Sequence, residues 1–130
     1  RQENDLLDLV ARSTFVLTTA ASEMSVTRIV LVSRLDIMRG YDECYRVDST
    51  WQPRPEAHAD SIAPHMAELV CREIARTGKI SVVALRLGDL GIEVEPSAAV
   101  NAVQNALSEP MNGNYHWTVK HIASTGRFAL

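Results

Sequence analysis

The chain has 130 residues and a formal net charge of −3, enough for one domain around one core. Its 13 Lys and Arg residues are scattered rather than banked, which argues against a nucleic-acid surface. No apolar run approaches a membrane span and no signal-peptide pattern opens the chain. Cys44 and Cys71 lie far apart and read as reduced thiols of a cytoplasmic protein. The first residue is Arg rather than Met, so an upstream part is expected.

A long helix is expected over residues 4–25, where Leu6, Leu7, Val10, Thr14, Leu17 and Ala21 follow helical spacing and Asp5 and Asp8 sit early. Thr14, Phe15, Val16, Thr18 and Thr19 are poor helix formers, so packing must hold this segment. Arg28 to Ser33 is apolar on both faces, as a buried parallel strand requires. Residues 34–58 then turn irregular, with Gly40, Pro53 and Pro55, and read as a loop over the carboxyl end of that strand. Open α/β sheets bind ligands beyond that end.

Pro64 suits the first turn of a helix, which predicts helix over 64–77 with Ala67, Val70, Cys71 and Ile74 inward. Gly78 ends it, and Ile80 to Leu85 forms a second strand apolar on both faces. After the Gly88–Gly91 loop, Pro96 opens a further helix with Ala99, Val100, Val103 and Leu107 inward, ended by Pro110 and Asn112-Gly113. Tyr115, Trp117 and Val119 alternate with polar residues as in an edge strand. Helix–strand alternation gives an α/β class with a parallel sheet and flanking helices. Three strands are too few for a complete doubly wound sheet.

RSTFVLTTAASEMSVTRIVLVSRLDIM, VDSTWQPRP, MAELVCREIARTGKISVVALRLGDLG and VEPSAAVNAVQNAL together resemble the NAD-dependent epimerase/dehydratase family, the extended short-chain dehydrogenase/reductases. The likeness covers most of residues 10 to 108 and rests on order and spacing. It implies the later part of a Rossmann-like domain, with the glycine-rich half upstream. It further implies NAD or NADP as cofactor, a nucleotide-sugar or other small-molecule ligand, and a homodimer packed through helices 4–25 and 64–77.

The departures fall on the chemistry. Aligned on Ile37, the family's catalytic Ser/Thr falls at Arg34, and counting back from Glu68 its Tyr and Lys fall at Asp60 and Pro64. The Tyr gives a proton and the Lys lowers its pKa and holds the nicotinamide ribose; proline does neither, and a carboxylate at Asp60 would repel a developing oxyanion. No catalytic residue is therefore assigned, and the expectation is lost or impaired catalysis. The alternative is a non-catalytic ligand-binding or protein-interaction module. Residues left in position to touch a cofactor are Ser33, Arg34 and Gly88, with Arg34 free to hold an anion or pair with Asp36 or Asp60. His58, Asp60, His65 and Glu68 are the densest set of possible metal ligands, yet lack a third fixed one, so no metal is expected.

Overall fold

The computed structural model describes residues 2–110 and 116–129. Among these residues three α-helices and three strands alternate: α1 (Gln2–Glu23), β1 (Arg28–Arg34), α2 (Ala59–Ala75), β2 (Ser81–Leu87), α3 (Pro96–Ser108) and β3 (Trp117–Ile122). The strands form one parallel sheet in the order β1-β2-β3, with Arg28 beside Ser81 and Val82 beside Trp117. This is the expected α/β, Rossmann-like architecture, a parallel sheet with helices on both faces that makes up part of a doubly wound fold. Asn112, Gly113 and Tyr115, invoked above, lie outside the described residues.

Alternation along β2 assigns each side of the sheet. Val82 packs with Cys71 and Ala75 of α2, whereas Val83 and Leu85 pack with Ala106 of α3. β2 can be apolar on both faces because a helix covers each. α1 lies along α2, turning Leu7, Val10, Thr14, Thr18 and Ala21 inward. Leu6 and Leu17, expected on that stripe, are instead 37% and 70% exposed. On α3 the inward residues are Ala99, Ala102, Val103 and Ala106, while Val100 and Leu107 face out. The small alanines let the helix lie close to the sheet, a choice that ranking by hydrophobicity misses.

The start of α2 corrects the sequence expectation of helix over 64–77. Helix begins at Ala59 and runs through Pro64. Proline at this second-turn position cannot donate to the Asp60 carbonyl, but Asp60 is exposed and water can take that place. The early start is fixed elsewhere. Ser61, 1% exposed, donates to the Asp36 carbonyl at 2.7 Å and receives the Glu56 amide at 3.3 Å.

Residues 34–58 are more ordered than a plain loop. A 3₁₀ turn, Leu35–Met38, follows β1 directly. Leu35, Ile37, Met38 and Val47 form a second core around Phe128, all fully buried. The C-terminal segment is clamped there by the Val47 amide on the Arg127 carbonyl at 3.1 Å and the Ser124 amide on the Glu93 carbonyl at 2.7 Å. Phe128 is invisible to periodicity, because its partners lie far away in sequence. Among the described residues no helix is long and apolar enough to cross a membrane.

Candidate functional site

The carboxyl ends of β1 and β2 frame an open cleft of about 540 Å³ lined by Val32, Ser33, Arg34, Leu87, Gly88, Asp89 and Leu90. It lies where a parallel sheet places its ligands. Ser33, Arg34 and Gly88, named from sequence, all reach it. Gly88 has a steric reason to be glycine: an added Cβ would stand 2.8 Å from the Glu93 Cβ. Glu93 is thereby drawn in to receive the Asp89 amide at 3.1 Å, shaping the loop along one rim.

The mouth carries two guanidiniums and three carboxylates. Arg34 lies 3.1 Å from Asp36 and 3.7 Å from Asp89, bridging the rims; its side chain is 57% exposed. Asp60 is not its partner. Arg39 is held harder, by Asp36 at 3.2 Å and Glu93 at 2.6 Å, with its guanidinium over the Phe128 ring. Burial alone would lower the Arg39 pKa, but its bonds to Glu93 and Asp36 outweigh burial and raise it. Arg39 is therefore a structural cation. Arg34 is the exposed one.

Beneath the cleft floor lies a buried polar network. The Ser33 hydroxyl donates to Glu68 Oε2 at 2.5 Å, and Arg86 grips the same carboxylate through Nη2 at 2.8 Å and Nε at 3.1 and 3.2 Å. All three residues are 3% exposed. Sequence reading missed this pair, although an arginine inside a strand apolar on both faces demands a buried counter-charge. Ser33 thus reaches the cleft with its hydroxyl already committed. Glu68 is pulled inward, while His58 and Asp60 stay at the surface, so the four possible metal ligands do not converge. Among the described residues no cluster of His, Cys, Asp or Glu is arranged to hold a metal ion.

Two histidines border the network. His121 faces Arg86 Nη1 at 3.4 Å and meets Phe128 edge-on, and its Nδ1 is buried without a hydrogen-bond partner among the described residues. Burial, then the charge of Arg86, pushes its pKa down to about 4. His65 also has a buried Nδ1 with no partner among the described residues and a lowered pKa, chiefly from burial. Cys71 is core, as expected, and burial raises its thiol to about 11.

No family model matches the chain, and no curated protein does. Solved structures do match. MoeE5 in complex with UDP-glucuronic acid and NAD superposes at a TM-score of 0.71 with 20% identity, over 85% of this chain and 46% of MoeE5. MoeE5 with UDP-glucose and NAD gives 0.69 at 20% identity over the same shares. A mutated uronate dehydrogenase gives 0.80 at 18% identity, over 95% of this chain and 47% of its own. The fold is theirs. The chain spans about half the length of these proteins.

Proposed function

We propose that the chain is the later part of an NAD(P)-binding protein of the nucleotide-sugar epimerase/dehydratase type, with the family's catalysis lost or impaired. The upstream part would carry the glycine-rich dinucleotide loop. The observation that carries the reading is the cleft at the carboxyl ends of β1 and β2, on a sheet that superposes on NAD-bound nucleotide-sugar proteins. Residues in position to touch a dinucleotide are Ser33, Arg34 and Gly88. Of these, Arg34 offers an exposed cation to a phosphate or carboxylate, Gly88 offers backbone, and Ser33 offers no free hydroxyl proton. NAD or NADP, when bound, supplies a hydride acceptor. The chain's own residues supply no Tyr-like acid beside it, because the matching positions on α2 hold Asp60 and Pro64.

Titration of the protein, extended to its natural start, with NAD and NADP tests the binding half of the proposal. Saturable binding weakened by Arg34→Ala is expected, and absence of binding overturns it. Turnover of a UDP-sugar with NAD(P), abolished by Asp60→Ala, would sink the claim of lost catalysis.

A second copy of the chain is the proposed protein partner. α1 carries an outer stripe, Leu9, Val16 and Leu17, that is 64%, 58% and 70% exposed. An apolar stripe on a second face of a helix calls for a second cover. A homodimer through α1 and α2 would supply it.

A further inference from the structure

The mouth of the cleft already holds an anion of its own. Asp89 turns one carboxylate oxygen to each guanidinium: Oδ1 lies 3.7 Å from Arg34 Nη2, and Oδ2 lies 3.7 Å from Arg39 Nη2. Both distances suit an ion pair and both are too long for a hydrogen bond. The other two carboxylates are held closer. Asp36 reaches Arg34 at 3.1 Å and Arg39 at 3.2 Å, and Glu93 reaches Arg39 at 2.6 Å. Their side chains are 18% and 14% exposed, against 45% for Asp89. Asp89 is the loosest carboxylate of the three. Its backbone, by contrast, is fixed. The Asp89 carbonyl receives the amides of Ile92, Glu93 and Val94 at 3.1, 2.8 and 3.2 Å, and its own amide donates to Glu93 Oε1 at 3.1 Å. The carboxylate can therefore leave the mouth by a change of side-chain rotamer, with the loop in place.

We propose that Asp89 is a specificity-determining residue of the cleft: its carboxylate fills the seat of the ligand's anionic group, and only a group that binds Arg34 better than a carboxylate displaces it. Arg34 is equipped for the exchange. Both of its ion pairs run through Nη2, whereas a guanidinium carries five N–H donors in a planar fork. An incoming monocarboxylate trades like for like and gains nothing. A phosphate or diphosphate brings more charge and more acceptor oxygens to the fork, and wins the exchange. Asp36 and Glu93 keep Arg39 in place throughout, so Arg34 alone changes partner. The inference rests on the proposed reading of this cleft as a ligand site, which it narrows from phosphate or carboxylate to phosphate.

Calorimetric titration of the protein, extended to its natural start, with inorganic pyrophosphate and with acetate tests it. The wild-type protein should bind pyrophosphate and leave acetate unbound over the same concentrations. Asp89→Asn keeps the shape of the side chain and removes its charge. It should tighten pyrophosphate by about fivefold or more, because no ion pair to Arg34 is broken and no like charge faces the ligand. Asp89→Ala should give the same gain, and adding Arg34→Ala to either variant should abolish it. Unchanged or weaker binding in both Asp89 variants overturns the inference. So does a gain that survives Arg34→Ala, which would reflect net charge alone, and so does acetate bound as tightly as pyrophosphate. Parallel titrations with NAD and NADP separate this inference from the proposed function. A pyrophosphate gain in variants that bind no dinucleotide supports the role of Asp89 and removes the dinucleotide reading; dinucleotide binding with no gain at Asp89 does the reverse.

Discussion

Glu68 and Arg86 are the pair on which single substitutions should act most strongly. Arg86 sits in the middle layer with Glu68 as its carboxylate partner and Ser33 as the only other donor to that carboxylate among the described contacts. Glu68→Ala leaves a guanidinium buried without compensation and should cost about 3–5 kcal/mol in chemical denaturation. Ser33→Ala removes one bond only and should cost about 1–2 kcal/mol. Equal losses would mean that the two act through something other than the shared carboxylate. His121 adds a pH dependence. Its pKa falls from near 6.5 to about 4 on folding, so the unfolded chain binds more protons between those values. Stability is fully present above about 6.5 and is lost as the pH falls toward 4; His121→Phe should flatten that part of the curve. Cys71 should resist iodoacetamide at pH 8 in the native protein, whereas the exposed Cys44 should react.

At the level of elements, what could be read in the sequence was local, and what could not was long-range. Helix and strand types followed from periodicity, because each element shows its own repeat to one neighbour. The Pro64 expectation failed because proline sets a preference for the first turn, while Ser61 sets the boundary by a bond to Asp36, 25 residues away in sequence. The 3₁₀ turn and the Phe128 core depend on residues from three separate segments, and no window spans them. Ser33, Arg34 and Gly88 could be placed at the cleft because strand ends are legible. The commitment of Ser33 to Glu68 was not, since it needs the packing of α2 on β1. Pro64→Ala restores to α2 an amide that can donate to the Asp60 carbonyl. It should stabilise the protein by about 1–2 kcal/mol, less than the full cost of an interior proline because the unfolded chain gains freedom. A destabilised variant would mean that the ring itself packs usefully.

For the whole molecule, the cleft and the outer stripe of α1 lie on one three-layered framework. Leu9→Glu combined with Val16→Glu should convert a dimer to a monomer in sedimentation at micromolar concentration, with helicity unchanged. A wild-type protein that already sediments as a monomer removes the dimer. Both residues are well exposed, so the variants should fold whichever answer emerges.

The clasp at Phe128 also sets an order of events. Arg46 bonds the Ala129 carbonyl across 83 residues, and Arg127 bonds the Tyr41 carbonyl across 86. On a ribosome, β1 and α2 can meet long before those partners exist. The turn that carries Asp36 and Arg39 can be locked only after residues 124–129 are made, so the rim of the cleft sets later than the pairing of β1 with α2.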